Sequence, residues 1–296
     1  MYPRSRLHNW RSTLSDYWTL TKPEVNLLVV ASTLAGFDLG SRGPLDWLRL
    51  VHTLLGTLLV ASGTATLNQF LEREPDSRMR RTARRPLPAG RLAPECALYF
   101  GVLLSVAGAI ELALAVNALA SLLALLTLAS YLLFYTPLKA RTPLCTLVGA
   151  FPGAMPPLIG WAAARGSLSL EAWVLYAMLF FWQFPHFLGI AWMYREDYER
   201  AGYLMLPPSD VDGRFTGREI FLFTLALLPV SLVPVALGQA GMIYLLGASL
   251  LGLAFLACGA RLAHSRSKAL ARRLVLASVV YLPLVFALMM IDKTPA

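Results

Sequence analysis

Long stretches almost free of charge recur along this 296-residue chain, and no other feature constrains its fold as tightly. A bilayer core is about 30 Å thick and takes about 20 apolar residues per spanning helix. Inside it every backbone N–H and C=O must be paired, which leaves helices and closed barrels as the spanning structures. These stretches are apolar on all faces and lack the alternation of about ten-residue barrel strands, so they are predicted as helices. Apolar windows read against the polar breaks place nine spans, at residues 25–41, 50–71, 95–116, 118–136, 144–164, 171–193, 219–238, 241–260 and 274–291. The expected fold class is an all-α, polytopic membrane protein. The composition agrees: 57% of residues are hydrophobic and 15% charged, against about 45–50% and about 25% for a soluble domain.

Nine spans put the N-terminus and every second loop on one side. That side receives all 26 Lys and Arg residues except Arg42, Arg49, Arg165 and Lys293. Positive loops stay in the cytoplasm, so the N-terminus is predicted cytoplasmic and the C-terminus periplasmic, in a bacterial inner membrane. The net charge of +9 is explained in the same way, as a topology signal, and nucleic acid is not expected as a partner. Cys96, Cys145 and Cys258 fall in or beside spans with no metal-type spacing, which argues against disulfides and a structural zinc. The first apolar run lacks a small-residue cleavage site before Ser41 and reads as a retained helix.

No soluble domain fits between the spans, so the chain reads as a single membrane domain, residues 1–296, with two unusual loops at 72–93 and 194–218. Both mix carboxylates with arginine, although a topology signal needs cations alone. In the first, Asn68, Glu72 and Asp76 lie four apart and share one helical face. Pro75 is expected to kink or end that helix just before Asp76. Such an oxygen stripe suits Mg²⁺ shared with a phosphate, while the following Arg80, Arg84 and Arg85 suit the phosphate itself. A capped, snorkelling helix end is the bland alternative.

The turn Tyr135-Thr136-Pro137-Leu138-Lys139-Ala140-Arg141 offers two more cations, Lys139 and Arg141, to a departing diphosphate. Simple anchoring explains them nearly as well. The third constellation pairs His186, inside an apolar helix, with the polar run Tyr194-Arg195-Glu196-Asp197. A histidine at that depth is costly without a partner and is either a hydrogen-bonded packing residue or a ligand. A second echo of loop one, helix two plus its loop against helix six plus its loop, suggests weak internal symmetry.

The run from Asn68 to Asp76, with Arg81-Thr82-Ala83-Arg84-Arg85-Pro86-Leu87 after it, resembles the N-x-x-x-D-x-x-x-D and R-T-x-x-R-P-L signature of the UbiA-type intramembrane prenyltransferases. Thr21-Lys22-Pro23, the stretch Tyr135 to Trp161, His186-Phe187, Trp192 to Gly202 and Met205 to Pro207 are similar to its haem-modifying branch. Glu72 departs from the usual Asp, the lysine turn is one residue short, Cys145 replaces an Asn, and Tyr194 and Tyr198 replace carboxylates of the aromatic prenyltransferases. The resemblance implies a helical bundle around a central cavity and Mg²⁺-dependent transfer of farnesyl from farnesyl diphosphate to the 2-vinyl group of haem b. It implies Asn68, Glu72, Asp76 and Asp197 as metal ligands and Lys139 as a catalytic partner. Lys22, Arg80, Arg84, Arg85, Arg141, His186, Tyr194, Arg195 and Glu196 are the implied substrate contacts, His186 touching either the haem iron or a propionate. Membrane lipid, haem A synthase and oxidase assembly factors are the implied partners. A quinone or chlorophyll prenyltransferase of the same fold and, further off, a transporter are the alternatives.

Overall fold

The computed structural model describes residues 10–294; Arg4 and Arg6 of the N-terminal cation group lie outside them. The elements in chain order are α1 (Trp10–Leu20), α2 (Pro23–Gly40), α3 (Trp47–Leu71), α4 (Arg73–Arg78), α5 (Pro94–Ala115), α6 (Ala118–Leu138), α7 (Cys145–Arg165), α8 (Leu170–Met193), α9 (Arg195–Ala201), α10 (Arg214–Ala236), α11 (Met242–Ser265) and α12 (Lys268–Ile291). Among the described residues no β-strand forms, and a lone bridge joins Ala240 to Lys293. Among the described residues eight helices are long and apolar enough to cross a membrane. A ninth, α2, is 18 residues and so about 27 Å long. It falls outside the eight, and its sequence holds Glu24, Asn26 and Asp38. The chain is a multi-pass membrane protein, and the number of its spans agrees approximately with the nine expected.

Neighbouring spans pack in sequence, α2 on α3, α3 on α5, α5 on α6, α6 on α7, and α7 on α8. Beyond α8 the chain packs as α8 on α10, α10 on α11 and α11 on α12, which returns to touch both α8 and α2 and closes the ring. In lipid, association rests on close van der Waals approach, and small residues permit it. A Cβ added to Gly63 of α3 would stand 2.2 Å from Ser105 Oγ and 2.7 Å from the Gly101 carbonyl oxygen of α5. One added to Gly160 of α7 would stand 2.0 Å from the Thr33 carbonyl oxygen of α2. The outer faces carry Leu27, Leu103, Leu114 and Leu250, each more than 60% exposed, as lipid contact requires. Interior hydroxyls such as Thr53, Thr66, Ser105 and Thr224 instead donate to the carbonyl one turn back, which satisfies them inside the bundle.

Span ends differ from expectation mainly at α10, α11 and α12, which continue about five residues further toward the basic loops. Those turns carry Arg214, Arg218, Arg261, His264, Lys268, Arg272 and Arg273, whose long stems let charged heads leave the apolar layer without ending the helix. The first turn of the chain also differs: α1 was not expected. It sets Trp10, Leu14 and Trp18, four apart, on one exposed face, a pattern suited to lying in the membrane interface. Arg91 anchors α1 by donating to both oxygens of Asp16, at 2.9 and 3.1 Å.

The break after α3 falls at Glu72 (φ −93°, ψ 8°), earlier than Pro75 itself. Proline has no N–H for the Leu71 carbonyl four residues back, and its ring would collide with that carbonyl. The ladder therefore fails one turn upstream, and Pro75 is accommodated in the first turn of α4. The end of α8 repeats the geometry at Tyr194 (φ −112°, ψ 22°), followed by α9. Each span thus ends in a one-residue bend and a short helix with two acids in its first turn, Glu74 and Asp76 in α4, Glu196 and Asp197 in α9.

Candidate active site

The bend at Glu72 turns the end of α3 inward. Asn68, Glu72 and Asp76 are 1%, 6% and 1% exposed, so the predicted stripe survives as a buried cluster. Asn68 accepts at Oδ1 from Lys22 Nζ (3.1 Å) and donates from Nδ2 to Thr136 Oγ1 (3.2 Å). Thr136 owes its position to the π-helical stretch Tyr131–Tyr135 in α6, across which its hydroxyl donates back to the Tyr131 carbonyl at 3.0 Å. Lys22 caps α2 in the left-handed region (φ 50°), a conformation that costs a non-glycine residue about 1–3 kcal/mol and is accepted where placement matters.

Glu72 Oε1 accepts from Lys139 Nζ at 2.6 Å, and both side chains are almost wholly buried. Burial opposes the charge of each, yet each overcomes it for the other: Lys139 holds the Glu72 carboxyl below its ordinary range, and Glu72 holds the lysine well above its own. Lys22 has no such counterion. Burial, reinforced by Arg85 and Lys139, pushes it down to about 7 in spite of Glu72 and Asp76. The Lys139 ammonium also faces the rings of Tyr135 (4.5 Å) and Tyr203 (6.0 Å). Burial and the neighbouring Glu72 raise the Tyr203 hydroxyl, which therefore stays protonated.

Asp76 accepts at Oδ2 from Arg85 Nη1 (2.7 Å), and its backbone carbonyl accepts from Thr82 Oγ1 (2.8 Å). Its other oxygen, Oδ1, is buried without a hydrogen-bond partner among the described residues. A lone buried carboxylate oxygen is costly and marks a place where a further cation or donor fits. Asp197, on α9, accepts at 3.4 Å from the backbone N–H groups of Arg80 and Arg81 and pairs with Arg200. Arg81 lies over the rings of Tyr194 (5.0 Å) and Tyr198 (5.8 Å). The two acidic loops thus meet, and Asp197 clamps the turn that follows Asp76. Leu204 N donates to the Lys139 carbonyl at 2.6 Å and pins the second loop to the lysine turn.

Other expected contacts lie elsewhere. Arg80, Arg84 and Arg141 have exposed side chains. Arg195 turns away to the Val211 carbonyl and the Trp192 ring, and Glu196 to Lys268 at 2.8 Å, which lowers its carboxyl. His186, within α8, bonds to Ser278 Oγ of α12 at 2.7 Å. The cysteines are all free. A cavity of about 300 Å³ opens beside the cluster, lined by Arg195, Tyr198, Glu199, Tyr203 and Leu204 among others. Thr136, Tyr203 and Arg81 were absent from the expected site. Tyr203 was signalled only by its place after the left-handed Gly202, which swings it back under the lysine.

No group of three or more His, Cys, Asp and Glu among the described residues could hold a metal ion unaided. Mg²⁺ takes several ligands from water and from substrate phosphate and needs one or two carboxylates from the protein. Asn68, Glu72 and Asp76, with the partnerless Oδ1, fit such a shared ion.

Residues 29–286 match the model of the UbiA prenyltransferase family. The chain belongs to that family. Its similarity to curated UbiA-family relatives is high: it is 54% identical to protoheme IX farnesyltransferase of Solibacter usitatus over 95% of this chain and 99% of that protein. It is 48% identical to protoheme IX farnesyltransferase of Koribacter versatilis, over 96% and 94%. The helical arrangement is that of UbiA-fold structures. A digeranylgeranylglyceryl phosphate synthase superposes with a TM-score of 0.78 at 17% identity, covering 95% of this chain and 98% of that one. A UbiA homolog from Archaeoglobus fulgidus, bound to DMAPP and Mg²⁺, gives 0.68 at 17%, covering 93% and 99%.

Proposed function

We propose that the chain transfers the farnesyl group of farnesyl diphosphate to the 2-vinyl group of haem b, giving haem O and diphosphate. The observation that carries this reading is the near full-length similarity to protoheme IX farnesyltransferases, 54% and 48% identical over at least 94% of each chain. The buried cluster supports the first half of the chemistry. The basic side is taken as cytoplasmic, in a bacterial inner membrane, with loops 72–93 and 194–218 forming the site.

When bound, Mg²⁺ neutralises diphosphate charge and eases its departure; Asn68, Glu72 and Asp76 would hold it, while Asp197 fastens the turn that carries Arg80 and Arg81. Lys139 and Arg85, already paired with Glu72 and Asp76, can each donate to a diphosphate oxygen from their remaining N–H groups. Lys22 becomes fully charged beside such an anion, and Arg80, Arg84 and Arg141 add to the field at the entrance. The allylic C–O bond breaks with its electron pair going to diphosphate. The haem vinyl π pair then forms the new C–C bond, and the cation left beside the porphyrin takes up water and sheds a proton, leaving a hydroxyethylfarnesyl side chain. Tyr135 and Tyr203, whose rings face the Lys139 ammonium, are suited to face the allylic cation as well.

The test is mass spectrometry of the porphyrin recovered after the purified chain is incubated with haem b, farnesyl diphosphate and Mg²⁺. A farnesylated, hydrated haem is the expected product. In a parallel incubation that also offers 4-hydroxybenzoate, prenylation of that acid with haem left unchanged would refute the acceptor assignment.

A further inference from the structure

His186 stands seven residues before the end of α8, about 10 Å below the basic end of the span. Three contacts fix its ring. Trp182 stacks on it with centroids 4.8 Å apart and planes 17° apart, Phe187 meets it edge-on at 5.1 Å, and its Nδ1 lies 2.7 Å from Ser278 Oγ on α12. The same pair of helices is tied again where Trp182 Nε1 donates to the Ser278 carbonyl at 2.9 Å.

The proton on the Ser278 hydroxyl decides the state of the histidine. Ser278 Oγ is 2.6 Å from the Val275 carbonyl oxygen. Two oxygens at that separation need a hydrogen between them, and a carbonyl only accepts, so the single hydroxyl proton points at Val275. The remaining bond, between Oγ and Nδ1, must then be donated by the imidazole. A neutral ring inside the bundle, where charge is expensive, therefore carries its proton on Nδ1 and leaves Nε2 with a bare lone pair. No hydrogen bond to Nε2 forms among the described residues, and His186 is half-buried where its neighbours Trp182 to Pro185 are buried. Nε2 is an oriented, unused imidazole nitrogen.

We infer that His186 Nε2 is an axial ligand for the haem iron of the acceptor substrate, and that Ser278 is the positioning residue that fixes the required tautomer. An imidazole whose second nitrogen donates to an oxygen is the usual arrangement of a metal-bound histidine, and that outer partner sets ring orientation and raises ligand basicity. A haem propionate calls for a donor at Nε2, which this tautomer does not offer, so the iron is the partner the hydrogen bonding selects. The inference rests on haem being the acceptor, as proposed above.

The experiment is titration of the full-length chain in detergent with ferric haem b, read by absorption and electron paramagnetic resonance, with metal-free protoporphyrin IX as a parallel probe. The wild-type chain is expected to give a histidine-ligated ferric spectrum. His186→Ala should lose that signature and regain it when free imidazole is added, while its affinity for protoporphyrin IX stays within a few-fold of wild type. Ser278→Ala should weaken ferric haem about 10–100-fold, and Ser278→Thr, which keeps the hydroxyl, should restore it. An unchanged spectrum in His186→Ala, or wild-type haem affinity in Ser278→Ala, overturns the ligand assignment while haem remains the acceptor. Failure of the wild-type chain to bind haem at all would overturn the acceptor reading and this inference together. A loss of protoporphyrin IX binding equal to the loss of haem binding would reduce His186 to a packing residue.

Discussion

Removing Lys139 alone should destabilise the chain far more than removing Lys139 and Glu72 together. The two side chains are 10% and 7% exposed and meet at 2.6 Å, so Lys139→Met strands a carboxylate in a site that water barely reaches. Breaking a buried pair in this way costs about 3–5 kcal/mol, whereas replacing both partners with neutral groups of similar volume is close to neutral. With about 2.1 cal/mol/K of unfolding entropy per residue, a chain of 296 residues has about 0.6 kcal/mol/K, and 3–5 kcal/mol corresponds to about 5–8 °C in Tm. The expected pattern is a drop of that size in Lys139→Met, a smaller drop in Glu72→Gln, and recovery to within about 2 °C of wild type in the double variant. Thermal unfolding in detergent, followed by tryptophan fluorescence at one scan rate, measures it. Farnesyl transfer assayed on the same preparations separates the two roles: the double variant should be stable yet at least about 100-fold slower. Additive losses in the double variant would show that the two groups are not coupled. A stable double variant with wild-type turnover would remove both from the chemistry.

Lys22 gives a pH signature. With its ammonium pushed down to about 7 by burial and by Arg85 and Lys139, about nine in ten molecules carry it neutral at pH 8. Binding of Mg²⁺ with inorganic pyrophosphate should then take up close to one proton at pH 8 and almost none at pH 6, measured by calorimetry in buffers of different ionisation enthalpy; equal uptake at both would contradict it. The same depression makes the unfolded chain bind the extra proton between about pH 7 and 10.5, so Lys22 should make stability rise with pH across that window, a slope lost in Lys22→Met. Because Glu72 and Asp76 each already pair with a cation, Mg²⁺ alone should bind at least tenfold more weakly than Mg²⁺ with pyrophosphate, and chelation should abolish pyrophosphate binding. Gly63→Val should separate α3 from α5, since even its first carbon would overlap Ser105 Oγ, and should yield no monodisperse protein in size-exclusion chromatography.

Much of this arrangement is legible in the sequence because lipid makes its demands locally. Apolar length sets each span, and the four-residue spacing of Asn68, Glu72 and Asp76 sets which face they share, so both survive into the structure. Boundaries were less legible where the chain leaves lipid: arginine stems let α10, α11 and α12 run on past the last apolar residue, and Pro75 broke the ladder at the carbonyl it could not serve, four residues upstream. Contacts across sequence were not legible at all. Nothing near Thr136 announces Asn68, 68 residues away, and nothing near Ser278 announces His186, 92 residues away. Asp197 read as an equal of Asp76 by composition, yet its oxygens are spent on Arg80, Arg81 and Arg200 in fastening the neighbouring turn.

The matched bends at Glu72 and Tyr194 bear on motion. Each attaches a rigid six- or seven-residue rod to a long span through one joint, and the two rods lie against each other, fastened by Asp197 on one side and by Arg81 over two tyrosine rings on the other. A change at either joint is therefore passed to both halves of the site, because neither rod is held by its own span alone.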